Sequence, residues 1–444
     1  MNRPVSLQKG LLDLMEKQIP LFSEFEINPK WTDEEKFQAF RLHKLKKTIS
    51  VAYEKSTFYK RLFDDAGITP HDIQSFGDLR KIPFTEPSDL AAKPYGFLCV
   101  SQGDIERIIT FTSSGTIGPQ KRVCFTTKDI DHITDFLAVG MNTATGKDST
   151  VQILLPDGPV MGQSDLLKRG VEKMGGVPVM SGLFEPSDEQ VKAIRDNSSK
   201  VIFGETRLIY RITKEMEDAC DLKALGLECV FVTTSYLPDV MRKYLEESYG
   251  CRVSTHYGLS EMGLGLAVEC PESGLYHFNE LDTYGELINP ETGEPAIDGE
   301  EGELVFTTLM RNGMPLIRYR SHDLATMPLA GCACGSFLSS IGHVHKRRES
   351  IVVLPNGNKI YPSMFDDYLF QNGDIIDFDI SLDRKNQVLI FEVETKASGT
   401  AEDAEIKSLI AKADCTGNMD IEVKLMPQGS LKQGVHFKKV IKEK

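Results

Sequence analysis

Short β-rich runs alternate with helical patterns between residues 151 and 254, and this alternation constrains the fold most strongly. The β-rich runs are Val151–Leu155, Val177–Met180, Val201–Phe203, Val230–Thr233 and Cys251–Ser254, with helical patterns at Ser164–Met174 and Leu208–Ala219. Strands that alternate with amphipathic helices form βαβ units, whose strands pair in parallel. The sequence therefore predicts an α/β fold built on a mostly parallel sheet.

The regions on either side of this core have different patterns. Residues 32–65 carry apolar residues at helical spacing, and the segment Gly67–Pro70 ends the predicted helix. Toward the other end, the pattern changes to strands at 376–382 and 387–394, a helix at 402–413 and a strand at 420–425. A chain of 444 residues is long for one core. We therefore expect two domains, residues 1–346 and a small α+β domain at 347–444.

Charge and composition exclude several function classes. The chain has 51 basic and 65 acidic residues, a formal net charge of −14, whereas nucleic-acid binding needs a basic surface. It has no apolar run of about 18 residues, so no membrane span is expected. The nine cysteines are scattered without a disulfide-like framework, which favours a reducing, cytoplasmic location.

A hydroxyl- and glycine-rich run, T-S-S-G-T-I-G-P-Q-K, occupies residues 112–121 directly after the apolar stretch Ile108–Phe111. Backbone N–H groups in such a loop can surround an anion, assisted by short hydroxyl donors and one ammonium. The run has neither the P-loop spacing nor a G-x-G-x-x-G pattern. It is interpreted as a phosphate-binding loop, with an ordinary surface turn as the alternative.

Two further segments carry polar groups suited to a nucleotide. In Thr255–Glu261, Tyr257 offers a ring for a purine, Gly258 allows close backbone approach, Ser260 is a phosphate donor and Glu261 is a ligand for Mg²⁺. The alternative interpretation makes Tyr257 a core residue and leaves Glu261 exposed. In Pro315–Leu324, Asp323 at the end of a strand-like run is suited to bind ribose hydroxyls.

Taken together, these segments resemble the adenylate-forming superfamily of acyl-CoA synthetases, adenylation domains and luciferases, and within it the phenylacetate-CoA ligase branch. The resemblance covers roughly residues 35–444 and includes the runs Ser56–Gly67, Asp78–Phe84 and Gly302–Asp323. It implies a large N-terminal adenylate-forming domain with mixed sheets and flanking helices. It also implies a small mobile α+β C-terminal domain that rotates about a hinge near Glu349.

The resemblance assigns roles to individual residues. The ATP phosphate loop would contain Ser113, Ser114, Gly115, Thr116, Gly118 and Lys121. Tyr257 would stack on adenine beside Gly258, Ser260 would contact phosphate, Glu261 would bind Mg²⁺, Asp323 would bind ribose and Arg347 would reach the nucleotide. His256 would gate the site, with a structural histidine as the alternative.

The chain departs from the family pattern at two places. Ile117 stands where the family usually has a threonine, and Pro119 comes one position early. The family's C-terminal adenylation lysine has three candidates here: an ungapped match places His436 at its position, and a small shift places Lys438 or Lys439 there. Lys438 is the preferred candidate.

Four residues have the chemistry of a tetrahedral zinc site: Cys270, His277, Cys332 and Cys334. The glycines that flank the Cys-Ala-Cys run allow a tight turn that aims both sulfurs at one ion. The resemblance supports this interpretation, because some members of the branch have a zinc site with Cys and His ligands in the same region. The zinc ion would be structural. The alternative is that these are ordinary reduced cysteines.

The resemblance implies an ATP-dependent carboxylate-CoA ligase. Its cofactors and substrates would be ATP (giving AMP), Mg²⁺, coenzyme A, structural Zn²⁺ and a small-molecule carboxylic acid. No nucleic acid or membrane partner is expected, and a homodimer is one arrangement. Two alternatives stay open: an adenylyltransferase that leaves AMP on its acceptor, and a degenerate nucleotide-binding homologue.

Overall fold

The structure, a computed structural model, describes residues 4–111, 120–156, 161–183, 185–431 and 439–443. The chain divides into two compact units. The first unit comprises residues 1–148, 158–176 and 256–343, and the second comprises residues 149–157, 177–255 and 344–444. The predicted hinge near Glu349 concerns movement and stays a prediction.

Eleven α-helices lie in the described residues. In chain order they are α1 Leu7–Gln18, α2 Asp33–Lys55, α3 Thr57–Ala66, α4 Pro87–Ala92, α5 Thr127–Asn142, α6 Gln163–Met174, α7 Ser187–Asp196, α8 Thr206–Met216, α9 Asp239–Tyr249, α10 Asp366–Leu369 and α11 Asp403–Ala411.

Twenty strands lie in the same residues. They are β1 Arg107–Phe111, β2 Lys121–Phe125, β3 Thr150–Leu154, β4 Val177–Met180, β5 Val201–Glu205, β6 Cys229–Thr233, β7 Arg252–Tyr257, β8 Ala267–Glu269, β9 Tyr276–Phe278, β10 Thr283–Ile288, β11 Glu301–Thr308, β12 Tyr319–Thr326, β13 Ser340–Ile341, β14 Lys346–Arg347, β15 Val352–Val353, β16 Lys359–Ile360, β17 Ile375–Asp383, β18 Val388–Thr395, β19 Asp420–Met426 and β20 Ile441–Glu443.

The second unit contains the predicted parallel sheet. Its strand order is β4-β3-β5-β6-β7, and every neighbouring pair is parallel. All five residues of β5 and of β6 are buried, which is typical of strands covered on both faces. The predicted α/β fold with a mostly parallel sheet is confirmed. Strand β7 continues to Tyr257, three residues beyond the predicted end at Ser254.

A second sheet completes this unit, with strand order β19-β18-β17-β20. It contains the strand, strand, helix and strand predicted for the C-terminal segment, and it adds β20, which was not predicted. Its apolar residues, such as Phe378 and Phe391, join one buried cluster with Ile209 and Tyr210 of α8. The parallel sheet and this C-terminal sheet therefore share one hydrophobic core.

Charged side chains also join α8 to this second sheet. The Arg207 guanidinium binds Asp366 and Asp377, each at 2.7 Å, and Arg211 binds Glu394, whose side chain is fully buried. Removing one partner of a buried pair costs about 3–5 kcal/mol because the other charge is left unpaired. These pairs therefore specify how α8 packs on the sheet.

The first unit begins with helices where one long helix was predicted. The helix predicted over residues 32–65 is interrupted at Ser56, which ends α2 and begins α3. The Ser56 side chain accepts a hydrogen bond from the backbone N–H of Tyr59 and so caps the N-terminus of α3. The backbone of Ser56 is extended, which interrupts the helix. Gly67 ends α3 in the left-handed conformation, as the sequence indicated.

The strands of the first unit are antiparallel. Strands β1 and β2 pair with each other, strands β10, β11 and β12 form a meander, and the end of β7 pairs with β8, followed by β9 and β13. The chain between β7 and β8 folds back tightly. Leu264 N donates to Leu259 O at 2.9 Å, and Leu266 N donates to Tyr257 O at 2.9 Å.

Glycine is required at position 258 in this turn. A Cβ atom built on Gly258 would lie 1.5 Å from the carbonyl oxygen of Leu264, far inside van der Waals contact. The obstacle is backbone, so a side-chain rotation cannot relieve it. The role predicted for Gly258, close backbone approach, therefore applies first to the chain's own turn.

We expect Gly258→Ala to destabilise the turn by about 3 kcal/mol, the upper end of the usual cost of overpacking, because the backbone of Leu264 must move. Native-state hydrogen exchange of the β8 amides measures this free energy of opening. The matched control is Gly285→Ala in β10, where the nearest atom to the added Cβ lies at 3.4 Å. Its cost should stay within about 1 kcal/mol. Equal costs for the two variants would contradict the steric constraint.

Candidate active site

Glu261 lies at the centre of the candidate site, in the short turn Ser260–Met262 that follows β7. Its side chain is buried, and Oε1 accepts hydrogen bonds from the Lys121 ammonium at 2.6 Å and the Tyr319 hydroxyl at 2.9 Å. A buried carboxylate needs such partners because it has lost its hydration. The alternative interpretation that left Glu261 exposed is therefore wrong.

Lys121 is brought to Glu261 by the β1–β2 hairpin. It is the first residue of β2 and pairs across the hairpin with Phe111, the last residue of β1. Its ammonium also lies 5.2 Å from the centre of the Phe111 ring. The hydroxyl- and glycine-rich run connects these two strands, so the structure places the end of that run beside Glu261.

Arg311 holds the backbone of the Glu261 turn. Its Nη1 donates to the carbonyl oxygen of Glu261, and its guanidinium lies over the Phe125 ring at 4.8 Å. Burial lowers the pKa of Arg311 to about 10, so the side chain stays charged at neutral pH. Asp129 supports the same segment by accepting a hydrogen bond from Asn312 N at 2.7 Å.

Tyr319 and Arg311 were not predicted as site residues. Tyr319 is four residues from Asp323 in β12, and residues at even spacing in a regular strand share a face. That spacing was the available signal for Tyr319. Arg311 acts through a backbone carbonyl of a distant segment, and no sequence motif reports such a contact.

Tyr257 and Asp323 lie together in the first unit. The Tyr257 hydroxyl donates to Asp323 Oδ2 at 2.7 Å, and both side chains are buried. The Tyr257 ring is 6.1 Å from the Phe306 ring at an interplanar angle of 30°. Asp323 lies within β12 and not at the end of a strand, so that detail of the prediction is wrong. The strand continues because Gly302 and Glu303 of β11 still pair with Ala325 and Leu324.

His256 and Ser260 flank Tyr257 along the chain. His256 lies on β7 opposite Val268 of β8 and is half-buried. Loss of solvation lowers its pKa to about 4, so its ring is neutral at neutral pH. Ser260 is half-buried and begins the turn that carries Glu261. Their predicted roles stay predictions.

Several predicted residues are not among those that the structure describes, and one belongs to the second unit. Ser113, Ser114, Gly115, Thr116 and Gly118 fall outside the described residues, as do His436 and Lys438. Arg347 belongs to the second unit, where its backbone N–H donates to Ser350 Oγ at 3.2 Å.

The four predicted zinc ligands form a cluster in the first unit. Their ligand atoms all lie within 4.8 Å of one another, and Cys270 and His277 are buried whereas Cys334 is exposed. His277 Nε2 lies 3.3 Å from Cys334 Sγ, and Cys270 Sγ lies 3.5 Å from Cys332 Sγ. The cluster brings together residues that are far apart in sequence.

Neighbouring polar groups contact two members of the cluster, His277 and Cys332. The other ring nitrogen of His277, Nδ1, lies 3.2 Å from the Ser339 carbonyl oxygen, which orients the ring. Partial burial raises the pKa of the Cys332 thiol, but hydrogen bonds from Ser273 and the Cys334 backbone outweigh it and lower the pKa to about 6. A thiolate is the form of cysteine that binds metal.

Among the described residues, no helix combines the length and the apolar character needed to cross a membrane. No model of a known protein family matches the sequence.

The fold is shared with a solved CoA ligase. The structure of 2-hydroxyisobutyryl-CoA ligase in the postadenylation state, in complex with 2-HIB-AMP, superposes with a TM-score of 0.78 and 21% identity. The match covers 95% of this chain and 94% of that chain. The expected fold, mixed sheets with flanking helices followed by a small α+β segment, is therefore confirmed.

Curated relatives match over most of the sequence. The chain is 29% identical to the phenylacetate-coenzyme A ligase of Thermus thermophilus over 380 residues, which are 84% of this chain and 81% of that protein. It is 31% identical to the phenylacetate-coenzyme A ligase of Escherichia coli over 347 residues, which are 75% of this chain and 76% of that protein. The chain therefore belongs to the phenylacetate-coenzyme A ligase family.

Proposed function

We propose that this chain is an ATP-dependent ligase that joins a small carboxylic acid to coenzyme A through an acyl-adenylate. The observation that carries the proposal is the buried cluster of Lys121, Glu261 and Tyr319 at the β1–β2 hairpin, in a member of a CoA ligase family. The related 2-hydroxyisobutyryl-CoA ligase has been solved in complex with 2-HIB-AMP and CoA, which supports the same two-step chemistry.

The reaction has two balanced steps. A carboxylate oxygen of the acid attacks the α-phosphorus of ATP, and the bond from that phosphorus to pyrophosphate breaks. The thiol sulfur of coenzyme A then attacks the acyl carbonyl, its proton passes to solvent, and AMP leaves with the oxygen that the acid supplied. The protein contributes orientation and charge stabilisation to both steps.

Lys121 and Glu261 bring opposite charges to the phosphate end of the nucleotide. Lys121 is the proposed phosphate ligand, and in the absence of nucleotide its charge is balanced by Glu261 at 2.6 Å. Glu261 is the residue that would hold Mg²⁺, and its buried carboxylate oxygen is the hard ligand that this ion prefers. When bound, the ion neutralises phosphate charge. The buried Tyr319 hydroxyl also donates to Glu261, so the carboxylate would keep one partner if Lys121 bound phosphate.

Tyr257 and Asp323 form the proposed nucleoside end of the site. The hydrogen bond of 2.7 Å between them fixes the ring and the carboxylate relative to each other. The ring would stack on adenine and the carboxylate would accept the ribose hydroxyls. Ser113, Ser114, Gly115, Thr116 and Gly118, together with Arg347, are retained as proposed nucleotide ligands, and Lys438 as the proposed adenylation lysine.

We expect Glu261→Gln to lower the rate of ATP–pyrophosphate exchange at least about 100-fold, because the amide removes a charge that acts at the phosphate end. Glu286→Gln is the matched control, since Glu286 is a partly buried carboxylate paired with Arg318 in the same unit. It should leave the exchange rate within about threefold of the parent. Unchanged exchange in Glu261→Gln would remove this residue from the site.

The Cys270, His277, Cys332 and Cys334 cluster is proposed to bind one structural zinc ion. Three thiols and one imidazole within 4.8 Å match the ligand number and chemistry of closed, four-coordinate zinc sites. Such an ion would cross-link the Cys332–Cys334 segment to the β8–β9 hairpin and would leave no position for a substrate.

We expect purified protein to hold close to one zinc ion per chain, and Cys332→Ala to lower that content several-fold by removing one of four ligands. Elemental analysis after dialysis measures the content. Cys220→Ala is the control, because Cys220 is a half-buried thiol outside the cluster. Protein purified in the presence of zinc that holds none would refute the site.

A cytoplasmic location is proposed because the cysteines form no disulfides. None of the nine cysteines, all of them among the described residues, forms a disulfide, which suits a reducing compartment.

Product analysis by mass spectrometry tests the function directly. The protein is incubated with ATP, Mg²⁺ and a panel of acids that includes phenylacetate and 2-hydroxyisobutyrate, with and without coenzyme A. The proposal predicts AMP and an acyl-CoA thioester that forms only when coenzyme A is present. AMP-linked products that form equally with and without coenzyme A would indicate an adenylyltransferase. ATP that is bound but not consumed would indicate a degenerate homologue. Either result would overturn the ligase.

A further inference from the structure

Lys439 is fixed between two carboxylates of one strand. Its ammonium lies 2.7 Å from Asp379 Oδ1 and 3.0 Å from Asp377 Oδ2, and its side chain is only 8% exposed. Asp377 and Asp379 are two residues apart on β17, so both point to the same face of the strand. Lys439 is the buried cation between the two carboxylates. Without it, Asp377 would keep only its arginine partners and Asp379 only the exposed Lys442, which lies 3.0 Å from Asp379 Oδ2.

The same carboxylates connect the tail to the rest of the second unit. Asp377 Oδ1 accepts a hydrogen bond from Arg207 Nη1 of α8 at 2.7 Å, while its other oxygen faces Lys439. Arg207 is itself tied to Asp366. Asp377 therefore links helix α8 to the last residues of the chain.

The residues after Lys439 are held by backbone pairing. Strand β20 pairs in parallel with β17, with Ile441 opposite Ile380 and Glu443 opposite Leu382. Ile441 is buried at this edge of the sheet. The Lys439 ion pairs and the β20 ladder therefore fix the tail in one register on β17.

We infer that Lys439 is a positioning residue that anchors the C-terminal tail through Asp377 and Asp379, and is not the adenylation lysine. The inference rests on the proposed function, in which a tail residue assists adenylation. Lys438 is joined directly to the anchor, and His436 lies at most about 11 Å of extended chain away from it. The anchor therefore limits where either candidate can act.

The test compares four variants by three independent measurements. Hydrogen exchange of the β20 amides reports the anchor without reference to activity. ATP–pyrophosphate exchange reports adenylation, and thioester formation from a supplied acyl-adenylate reports the second step. The variants are Lys439→Ala, Lys439→Arg, Asp379→Asn and Lys438→Ala, with Lys424→Ala on β19 as an exposed control.

We expect Lys439→Ala and Asp379→Asn to speed β20 exchange at least about tenfold. They should also slow pyrophosphate exchange up to about 100-fold by displacing the tail. Lys439→Arg should restore both, because a guanidinium can pair with the same two carboxylates. Lys438→Ala should slow pyrophosphate exchange while β20 exchange stays at the level of the parent. The thioester step and the control should change less than about threefold.

Two results would overturn the anchor. One is a Lys439→Ala protein that loses adenylation with normal β20 protection, and the other is a Lys439→Arg protein with normal protection but no adenylation. Either would make Lys439 the adenylation lysine itself. A parent protein without pyrophosphate exchange on any acid would refute the proposed function, whereas the β20 exchange of the same variants would still decide whether Lys439 anchors the tail.

Discussion

The candidate site depends on the burial of one carboxylate, that of Glu261. A charge removed from water is tolerated only with close partners, and Lys121 and Tyr319 supply them from two other segments of the first unit. Arg311 fixes the backbone of the same turn. Two strands, the Glu261 turn and the loop that carries Arg311 are thereby held around one group. Burying charged groups lowers stability, and such groups are concentrated at functional sites. A site for a triphosphate is one place where buried charge has a use.

The turn that carries Glu261 is equally constrained by sterics. Because a Cβ at position 258 would overlap the Leu264 carbonyl, only glycine allows β7 to be followed so closely by β8. Tyr257 on one side of this glycine binds Asp323, and Glu261 on the other side binds Lys121. One backbone constraint therefore sets the spacing between the proposed nucleoside and phosphate ends of the site.

The second unit uses buried charge for a different purpose. The pairs made by Arg207 and Arg211 lie at the edge of a continuous apolar core and specify how α8 meets the C-terminal sheet. Packing alone would tolerate several orientations, whereas a bidentate guanidinium pair tolerates few. Asp377 extends this network to Lys439, so the register of the tail depends on the same set of charges.

The parallel sheet and most of the C-terminal sheet could be predicted from local pattern. The strands of the parallel sheet and of the C-terminal segment follow from runs of β-branched and apolar residues, and Gly67 marked a helix end correctly. The break at Ser56 was missed because a capping serine inside a helical pattern does not disturb the apolar spacing. Strand β20 was missed because its residues, Ile441–Glu443, form strand only by pairing with β17.

The site residues that could be predicted are those that belong to short sequence motifs. Tyr257, Glu261 and Asp323 stand in segments with a recognisable order, and the four zinc-ligand candidates were chosen by residue type and meet in space. Arg311 and Asp377 could not be found in this way, because each acts through a partner that is distant in sequence. The ion pairs of Lys439 could not be predicted either, because their partners Asp377 and Asp379 lie about 60 residues earlier in the chain.

The most direct test of the account follows the oxygen atoms of the acid. An acid labelled with ¹⁸O in both carboxylate positions is converted in the presence of ATP, Mg²⁺ and coenzyme A, and the released AMP is weighed by mass spectrometry. Attack of the carboxylate on the α-phosphorus predicts AMP that carries one ¹⁸O atom, with the other retained in the thioester. Unlabelled AMP, or ADP in its place, would contradict an acyl-adenylate and with it the proposed role of the Glu261 site.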